Sequence, residues 1–334
     1  MPDPIMLPRQ PVGRLGMFST QSHTHPYPHQ ERDQQPTPKR NLSSLPIQSQ
    51  SISPDAECND SCKALEIPFD QVKLGKFLAK GAFGFVYEAE WKEKKVAVKR
   101  LTDEQEYKHE ARIMIGLDHQ NIVKLLAITL KRQLEVQHYY LVMELMEGGD
   151  LRTYLLSEEK ISWELRKEIA KDILRALAFL HNQTPSVLHR DLKSSNILLT
   201  KTKQAKIADF GMSRFDTDRV KDKNIGTISW RAPELLKKGA SYSKEADVYS
   251  AGVILWQLLA RVTPFKGKDL QYIEECTSQG KRDPIPTNYP LSFQQIIKRC
   301  WDLNPTNRPT AMQAMQSLEE KIEPSFAFSR VMGI

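Results

Sequence analysis

Apolar and polar residues alternate between about residue 74 and residue 99, which is typical of strands with one buried face. This region ends in the apolar run Val96-Ala97-Val98, which predicts a short buried strand. Two further strands are predicted near Leu125–Leu130 and Tyr139–Glu144, and helical spacing predicts one helix near Glu104–Leu117. The first part of the folded chain is therefore expected to be a small sheet with one helix.

Helical periodicity dominates the second part of the chain. The clearest example is Trp163–His181, an amphipathic stretch that ends shortly before a polar segment. The longest apolar stretch, near Ala251–Ala260, is far shorter than the roughly 18 residues of a membrane span. The pattern predicts an α+β protein in which a small sheet lobe precedes a larger, mainly helical lobe.

The polar segment that follows the amphipathic helix is His189-Arg190-Asp191-Leu192-Lys193-Ser194-Ser195-Asn196. In a phosphoryl-transfer loop, Asp191 would accept the proton of an attacking hydroxyl and Lys193 would offset charge on the transferred group. Asn196 would hold a metal ion. Taken alone, the same residues also fit a polar turn at the end of an apolar helix. Motifs elsewhere in the chain favour the first interpretation.

Three further motifs fit phosphoryl transfer. Asp209-Phe210-Gly211 follows a strand-like run, so that Asp209 is placed to bind Mg²⁺ and Phe210 to pack inward. Lys99 ends the apolar strand and must direct its charge at an anion, for which the phosphates of ATP are the obvious partner. Ala232-Pro233-Glu234 closes a segment of the length expected for an activation loop.

Together these motifs resemble the protein kinase family over roughly residues 72–323. The resemblance implies a bilobal protein kinase fold, with ATP as phosphoryl donor and Mg²⁺ as cofactor. Glu110 matches the helix glutamate that holds the strand lysine. Alanine replaces the usual first glycine of the nucleotide-covering hairpin, which is expected to stiffen the loop without removing the site. The hairpin matches Leu78, Ala79, Lys80, Gly81, Ala82, Phe83, Gly84, Phe85 and Val86.

The same resemblance implies a pocket for adenosine. The residues that sandwich the base match Val86, Ala97 and Leu198. The hinge, whose backbone pairs with the base, includes Glu144 and Met146 and follows a methionine gatekeeper, Met143. A family acid that meets the ribose matches Asp150. Outside this context, each apolar residue of the set is more often plain core.

Other matches to the family concern the scaffold of the site. Asp247 resembles the buried helix aspartate that anchors the backbone of the catalytic loop, and Arg308 resembles the partner of Glu234. A hydrophobic stack that is assembled only in the active state is matched by Met114, Leu125, His189 and Phe210. We therefore assign Asp247 and Arg308 structural roles.

The subfamily follows from a mixture of features. Lys193 and the Gly226-Thr227 step resemble the motifs of serine/threonine kinases, whereas Cys300-Trp301 and Arg308-Pro309 resemble those of tyrosine kinases. The mixture resembles the tyrosine-kinase-like serine/threonine group, and within it the mixed-lineage and transforming-growth-factor-β-activated MAP kinase kinase kinases. This implies a kinase of a MAP kinase cascade whose protein substrate is a MAP kinase kinase. The alternative is a catalytically silent pseudokinase scaffold. The presence of Lys99, Asp191 and Asp209 disfavours it, because pseudokinases usually lose one of these residues.

Composition separates a tail from the catalytic region. Residues 1–68 contain eleven of the 20 prolines, many Gln, Ser and His, and no sustained periodicity. We predict that this tail is disordered and that an upstream kinase or adaptor binds it. Residues 324–334 are predicted to be a short C-terminal extension.

Charge and cysteine content narrow the partners and the compartment. The net charge of +7 is diffuse, and no motif of a nucleic-acid reader accompanies it, so no nucleic acid is expected as a partner. The four cysteines form neither a disulfide framework nor a zinc pattern, which fits a cytoplasmic enzyme. The absence of an apolar signal or lipidation motif leads us to expect no membrane partner.

The hydroxyl residues of the activation segment suggest how it is regulated. Thr227 is expected to touch Asp191 and Lys193, and Ser213 follows the metal-binding turn too closely to be a phosphoacceptor. Thr217 remains as the best phosphoacceptor, because a phosphate there would pair with a nearby arginine. Asp222 is expected to supply a permanent negative charge that supports basal activity.

Overall fold

Five antiparallel strands form one sheet early in the folded chain. The structure is a computed structural model that describes residues 65–81, 84–218, 226–237 and 239–319. The strands are β1 Lys73–Lys80, β2 Phe85–Trp91, β3 Lys94–Leu101, β4 Leu125–Gln133 and β5 Val136–Glu144. They are arranged in the order β1-β2-β3-β5-β4.

The alternation of side chains gives β3 two different faces. Val96 and Val98 are buried in a small apolar core that also contains Tyr140 and Val142 of β5. Successive side chains of a strand point to opposite faces, so Lys99 faces away from this core. It therefore faces the side of the sheet on which the helix of this lobe packs.

That helix is α1, Glu104–Ile115, and its N-terminus is capped by Asp103. The Asp103 carboxylate accepts a hydrogen bond from the Glu106 backbone N–H at 2.8 Å, which satisfies one of the donors left open at a helix start. The buried face of α1 is apolar apart from Glu110, which is flanked by Ala111 and Met114. A buried carboxylate requires a partner, and Lys99 supplies it.

Six helices follow in the described part of the chain: α2 Leu151–Leu156, α3 Trp163–His181, α4 Lys244–Ala260, α5 Leu270–Ser278, α6 Leu291–Cys300 and α7 Ala311–Glu319. The central one is α4, in which every residue from Ala246 to Leu259 is buried. A helix that is buried all round lies in the interior, and α3 and α6 pack against it. Asp247, in the first turn of α4, is thus placed in the protein core.

Four short strands carry the polar motifs: β6 Val187–Leu188, β7 Ile197–Leu199, β8 Ala205–Ile207 and β9 Arg214–Phe215. Ile197 of β7 pairs with Ile207 of β8. The Ala208 backbone N–H then donates to the Asn196 carbonyl at 2.9 Å. This pairing brings Asn196 next to Asp209, although thirteen positions separate them in the sequence.

The predicted architecture, a small antiparallel sheet lobe with one helix followed by a larger, mainly helical lobe, is confirmed. The hairpin of β4 and β5 is longer than predicted, because Lys131, Arg132 and Gln133 continue the pairing through polar residues. The turn is closed by Leu134, which is 90% exposed and adopts a φ of 54°. A solvated hairpin end has no apolar periodicity from which its length could be predicted.

Several predicted features lie outside the described residues. They are residues 1–64 of the predicted tail, Ala82 and Phe83 of the nucleotide-covering hairpin, Asp222 of the activation segment, residues 320–323 at the end of the predicted domain, and the 324–334 extension.

Candidate active site

Lys99 lies at the centre of a buried charge cluster. Its Nζ is 2.8 and 2.7 Å from the two carboxylate oxygens of Glu110 and 2.8 Å from Oδ1 of Asp209. Burial opposes the charge on Lys99, but the two carboxylates outweigh it and raise the pKa of this ammonium. Lys99 is therefore a fixed positive charge that links β3, α1 and the Asp209 turn.

The turn at Asp209 has a strained backbone. Asp209 adopts a φ of 65°, in the left-handed region that non-glycine residues rarely occupy. Burial opposes ionisation of its carboxyl group, but Lys99 outweighs this effect and lowers the pKa of Asp209. About 29% of the Asp209 side chain stays exposed, so the ionised carboxylate has one oxygen on Lys99 and a face open to a ligand.

Phe210 packs in the opposite direction and is fully buried. Its ring lies 5.3 Å from the His189 ring in an edge-to-face arrangement, and His189 Nε2 lies 3.1 Å from the Ala208 carbonyl oxygen. Met114 of α1 and Leu125 of β4 are buried as well. The residues of the predicted hydrophobic stack are thus all in the core, and the Lys99–Glu110 pair is closed.

Asn196 lies beside the Asp209 turn, because its carbonyl accepts a hydrogen bond from the Ala208 N–H. Its Nδ2 donates to the Asp191 backbone oxygen at 2.9 Å and lies 3.3 Å from Asp191 Oδ2. These two contacts hold the amide nitrogen, so the Oδ1 atom is left to face a ligand. Carboxylate and amide oxygens are the donors that Mg²⁺ prefers, and the Asp209–Asn196 pair fits this ion when phosphate oxygens complete its coordination.

Asp191, Lys193 and Thr227 form a closed triangle of side chains. Lys193 Nζ donates to Asp191 Oδ2 at 2.6 Å and to Thr227 Oγ1 at 3.0 Å, and the Thr227 hydroxyl donates to Asp191 Oδ1 at 2.8 Å. The contacts expected for Thr227 are thus present. They connect the catalytic loop to the end of the activation segment.

Asp247 anchors the backbone of the catalytic loop from the protein core. Its carboxylate is fully buried and accepts hydrogen bonds from the backbone N–H groups of His189 at 2.9 Å and Arg190 at 3.0 Å. The Tyr242 hydroxyl donates to it at 2.8 Å, and His181 Nε2 lies 3.0 Å away. Burial opposes ionisation, but His181 and these donors outweigh it and lower the pKa of Asp247.

This anchor stabilises an unfavourable backbone conformation. Arg190 adopts a φ of 70°, and a Cβ atom at Gly226 would lie 2.8 Å from the Arg190 carbonyl oxygen. A glycine is therefore required where the activation segment crosses the loop. His181 lies eight positions before the catalytic motif and Tyr242 lies 46 positions after it, and neither is predicted from the sequence as part of the site. The sequence feature that indicates a role for His181 is its position in the last turn of the predicted helix, just before the catalytic loop.

The hairpin that covers the nucleotide is described on both sides of residues 82 and 83. The Gly81 N–H donates to the Gly84 carbonyl at 2.8 Å, and a Cβ atom at Gly84 would lie 2.2 Å from the Arg100 carbonyl oxygen. Ala79 pairs with Val86 within the sheet, and its φ is not positive. Its methyl group therefore causes no strain, in agreement with the expectation for the missing first glycine.

The residues predicted to line the adenine pocket come from both lobes. Val86 and Ala97 come from β2 and β3, and Leu198 comes from β7 of the larger lobe. Leu198 packs with Met143 and Met146 in a small cluster that also contains Val123 and Ala208. Ala97 pairs with Met143 across β3 and β5, so the sheet side of the predicted pocket adjoins this cluster.

Two of the predicted nucleotide residues have side chains with other partners. The Glu144 carboxylate accepts hydrogen bonds from Lys206 Nζ at 2.6 and 2.8 Å and from the Lys124 backbone N–H at 2.8 Å. The Glu144 backbone N–H in turn donates to the Lys124 carbonyl at 3.1 Å, so neither the side chain nor this N–H is open to a base. Asp150 caps α2 by accepting a hydrogen bond from the Thr153 N–H at 2.9 Å. A ribose contact by Asp150 would have to share this carboxylate.

The activation segment is supported at both ends. Glu234 accepts two hydrogen bonds from the Arg308 guanidinium, at 2.6 and 2.7 Å, in a bidentate pair. Ser213 is fully buried and donates to the His189 carbonyl at 3.1 Å, so its hydroxyl is not a phosphoacceptor. Thr217, in contrast, is exposed.

Resident metal clusters and membrane spans are both absent from the described residues. Among them, no group of three or more His, Cys, Asp and Glu side chains is arranged to hold a metal by itself. No described helix has both the length and the apolarity that crossing a bilayer requires.

Comparison with known proteins agrees with this geometry. A family model described as the protein kinase domain matches residues 72–318, and the chain belongs to the protein kinase family. It is 36% identical over 265 residues to the serine/threonine/tyrosine-protein kinase HT1 of Arabidopsis thaliana, which covers 75% of this chain and 66% of that protein.

Two relatives come from Dictyostelium discoideum. The probable serine/threonine-protein kinase drkB is 35% identical over 263 residues, which are 76% of this chain and 37% of drkB. The probable serine/threonine-protein kinase drkD is 31% identical over 265 residues, which are 77% of this chain and 20% of drkD. The chain thus spans less than two thirds of these relatives' lengths.

Proposed function

We propose that this chain is an active protein serine/threonine kinase that transfers the γ-phosphoryl group of ATP, with Mg²⁺, to hydroxyl groups of a protein substrate. The observation that carries the proposal is the simultaneous closure of two networks. One joins Lys99 to Glu110 and Asp209, and the other joins Asp191 to Lys193 and Thr227. The first network positions Lys99 and Asp209 for ATP and Mg²⁺, and the second positions the proton acceptor for the incoming hydroxyl.

Each residue contributes a separate physical effect. Asp191 accepts the proton of the incoming hydroxyl and orients it, and Lys193 offsets negative charge on the transferred group. Lys99 neutralises the phosphates of ATP from a position that Glu110 fixes. Asp209 and Asn196 would hold Mg²⁺, which neutralises charge that develops between the phosphates. The buried anchor at Asp247 keeps Asp191 in register, because displacement of a reacting group by about 1 Å costs about 100-fold in rate.

The preference for serine and threonine is supported by Thr227. Its hydroxyl is hydrogen-bonded to both Asp191 and Lys193, which is the contact expected from serine/threonine kinases. The drkB and drkD relatives are named serine/threonine-protein kinases, and HT1 is named a serine/threonine/tyrosine-protein kinase. Identification of the phosphorylated amino acid therefore tests the specificity for serine and threonine.

At a finer level, the proposed role is that of a MAP kinase kinase kinase, with a MAP kinase kinase as substrate and an upstream kinase or adaptor bound to the N-terminal tail. The support is the similarity of His189–Asn196, the methionine gatekeeper Met143 and the Gly226-Thr227 step to mixed-lineage and related kinases. A cytoplasmic location is proposed from the scattered cysteines.

The test is an assay of the full chain with labelled ATP, Mg²⁺ and a panel of MAP kinase kinases, followed by identification of the labelled amino acid. We expect labelled serine or threonine with the wild type and none with Asp191→Asn, which removes the proton acceptor but keeps the side-chain size. Label on tyrosine alone would contradict the specificity. Absence of label from the wild type, with ATP binding retained, would support the pseudokinase alternative instead.

A further inference from the structure

A cavity of about 390 Å³ lies in the larger lobe beside α5, and it contains none of the catalytic residues. Two short segments form its walls: residues 265–268, which precede α5, and residues 281–284, which follow it. Two α5 side chains, Tyr272 and Cys276, complete the lining. The cavity is large enough for several side chains of a bound peptide.

The lining of this cavity is strongly positive. Lys266, Lys268 and Lys281 are exposed at its surface, and Arg282 adds a fourth cation. Asp283 is the one carboxylate among the described lining residues, and it accepts a hydrogen bond from the Phe265 N–H at 2.8 Å. A concave surface with one sign of charge concentrates its field and attracts ligands of opposite charge.

Arg282 adds a further cation, whose charge Asp283 and Glu234 offset only in part. Its guanidinium lies 4.8 Å from the Tyr249 ring, and Nε and Nη2 are buried without a hydrogen-bond acceptor in the described part of the chain. Burial, with the nearby charge of Arg308, lowers the pKa of Arg282 to about 10. The wall of the cavity thus contains a cation that an approaching carboxylate would stabilise.

The walls are held in place before any ligand binds. The Lys281 N–H donates to the Cys276 carbonyl at 2.8 Å, which ties the second segment to the end of α5. Trp256 Nε1 of α4 donates to the Pro284 carbonyl at 3.0 Å. The Phe265–Asp283 hydrogen bond joins the two segments to each other. A preformed site loses less conformational entropy on binding, which favours affinity.

Apolar groups lie beside these cations. Leu270 and Tyr272, in the first turn of α5, are 66% and 44% exposed. The Lys268 Nζ lies 4.7 Å from the centre of the Tyr272 ring. Exposed aromatic and aliphatic side chains next to charge are typical of protein interaction surfaces rather than of sites for small inorganic anions.

The position of α5 connects the cavity with the protein substrate. The helix packs against Ile228–Trp230 and Pro233–Leu236. These two segments directly follow Thr227, which is hydrogen-bonded to Asp191. A polypeptide that presents its hydroxyl group to Asp191 can therefore continue along this side of the larger lobe towards α5.

We propose that the cavity beside α5 is a docking site for an acidic segment of the protein substrate, separate from the segment that carries the phosphorylated hydroxyl. Glutamate or aspartate side chains pair with Lys266, Lys268 and Lys281, and an apolar residue of the same segment packs on Leu270 and Tyr272. This inference rests on the proposed kinase function, because it assigns the occupant to the substrate of that reaction.

The first test measures binding without catalysis. Fluorescein-labelled decaglutamate is titrated with the full chain in the absence of ATP, and its fluorescence anisotropy is recorded. The triple variant Lys266→Gln/Lys268→Gln/Lys281→Gln should bind about tenfold more weakly, because the charge pairs are lost. The control Lys160→Gln/Lys201→Gln/Lys298→Gln removes three exposed lysines outside the cavity and should keep the wild-type affinity.

The second test measures the consequence for phosphorylation. Dephosphorylated casein, which is acidic, and myelin basic protein are compared as substrates. The cavity variant should raise KM for casein about tenfold with kcat unchanged, and leave both constants for myelin basic protein unchanged. A fall in kcat for both substrates would show that the variant damages the active site, and would overturn the docking assignment.

Two binding results would also overturn it. An equal loss of decaglutamate affinity in the cavity variant and the control would mean that binding is non-specific. Displacement of decaglutamate from the wild type by millimolar inorganic phosphate would mean that the cavity is a small-anion site. The anisotropy measurement needs no phosphoryl transfer, so the binding site and the proposed function can fail separately. A catalytically silent chain that still bound decaglutamate at the cavity would contradict the proposed function but would support the binding site for an acidic segment.

Discussion

The hydrogen bonds around Asp247 permit a quantitative prediction for Asp247→Asn. Both carboxylate oxygens are used: Oδ1 accepts from the Arg190 N–H and the Tyr242 hydroxyl, and Oδ2 accepts from the His189 N–H and lies against His181. Asparagine keeps the shape of the side chain but replaces one oxygen by an NH₂ group. Two buried donors would then face another donor.

The expected cost follows from those two donors. A buried donor that loses its acceptor costs about 1–3 kcal/mol, so Asp247→Asn should lower the free energy of unfolding by about 2–6 kcal/mol. Tyr242→Phe is the matched control, because it removes one hydroxyl and leaves three donors on the carboxylate. It should cost about 1 kcal/mol. Since Asp247 holds the backbone just before Asp191, Asp247→Asn should also lower kcat by about 100-fold.

Urea unfolding followed by tryptophan fluorescence measures the free energy of unfolding, and steady-state phosphorylation measures kcat. Both are applied to wild type, Asp247→Asn and Tyr242→Phe under the same conditions. If Asp247→Asn costs no more stability than Tyr242→Phe and leaves kcat unchanged, the catalytic loop does not depend on this anchor. The assignment of Asp247 as the residue that positions Asp191 would then be wrong.

Three further predictions follow from the charges and the activation segment. Lys99→Met and Asp209→Asn should each abolish phosphoryl transfer while urea unfolding remains cooperative, and measurable turnover in either variant would contradict the site. Thr217→Ala should reduce kinase activity modestly relative to wild type, whereas Asp222→Asn should lower the basal activity of phosphatase-treated protein. If Thr217→Ala is inactive and Asp222→Asn has the activity of the wild type, the segment is an ordinary phosphoswitch. Burial, aided by Arg175, lowers the pKa of His119 from 6.5 to about 4, so the unfolded chain binds the extra proton in this window and stability falls as pH drops through it. The loss should be about 1–3 kcal/mol by urea unfolding, and His119→Gln should remove it.

Local sequence patterns were sufficient for the main elements and for groups close together in the chain. The helix Trp163–His181 was predicted with the bounds that the structure shows, because a long apolar stripe has an unmistakable period. Asp191, Lys193 and Asn196 lie within six residues, so any compact loop places them near one another. Ala79 was expected to be harmless because a regular strand accommodates a Cβ atom.

Other features depend on how distant segments pack, and no local pattern contains that information. Lys99 and Asp209 are 110 positions apart and meet only because α1 and the β7–β8 hairpin close around them. His181 and Tyr242 belong to the site because Asp247 is buried in α4. This helix is buried almost all round, so its sequence pattern does not indicate the direction in which the Asp247 carboxylate points. The cavity beside α5 likewise combines lysines that look like solvated surface in the sequence, and their common field exists only once the two flanking segments are hydrogen-bonded together.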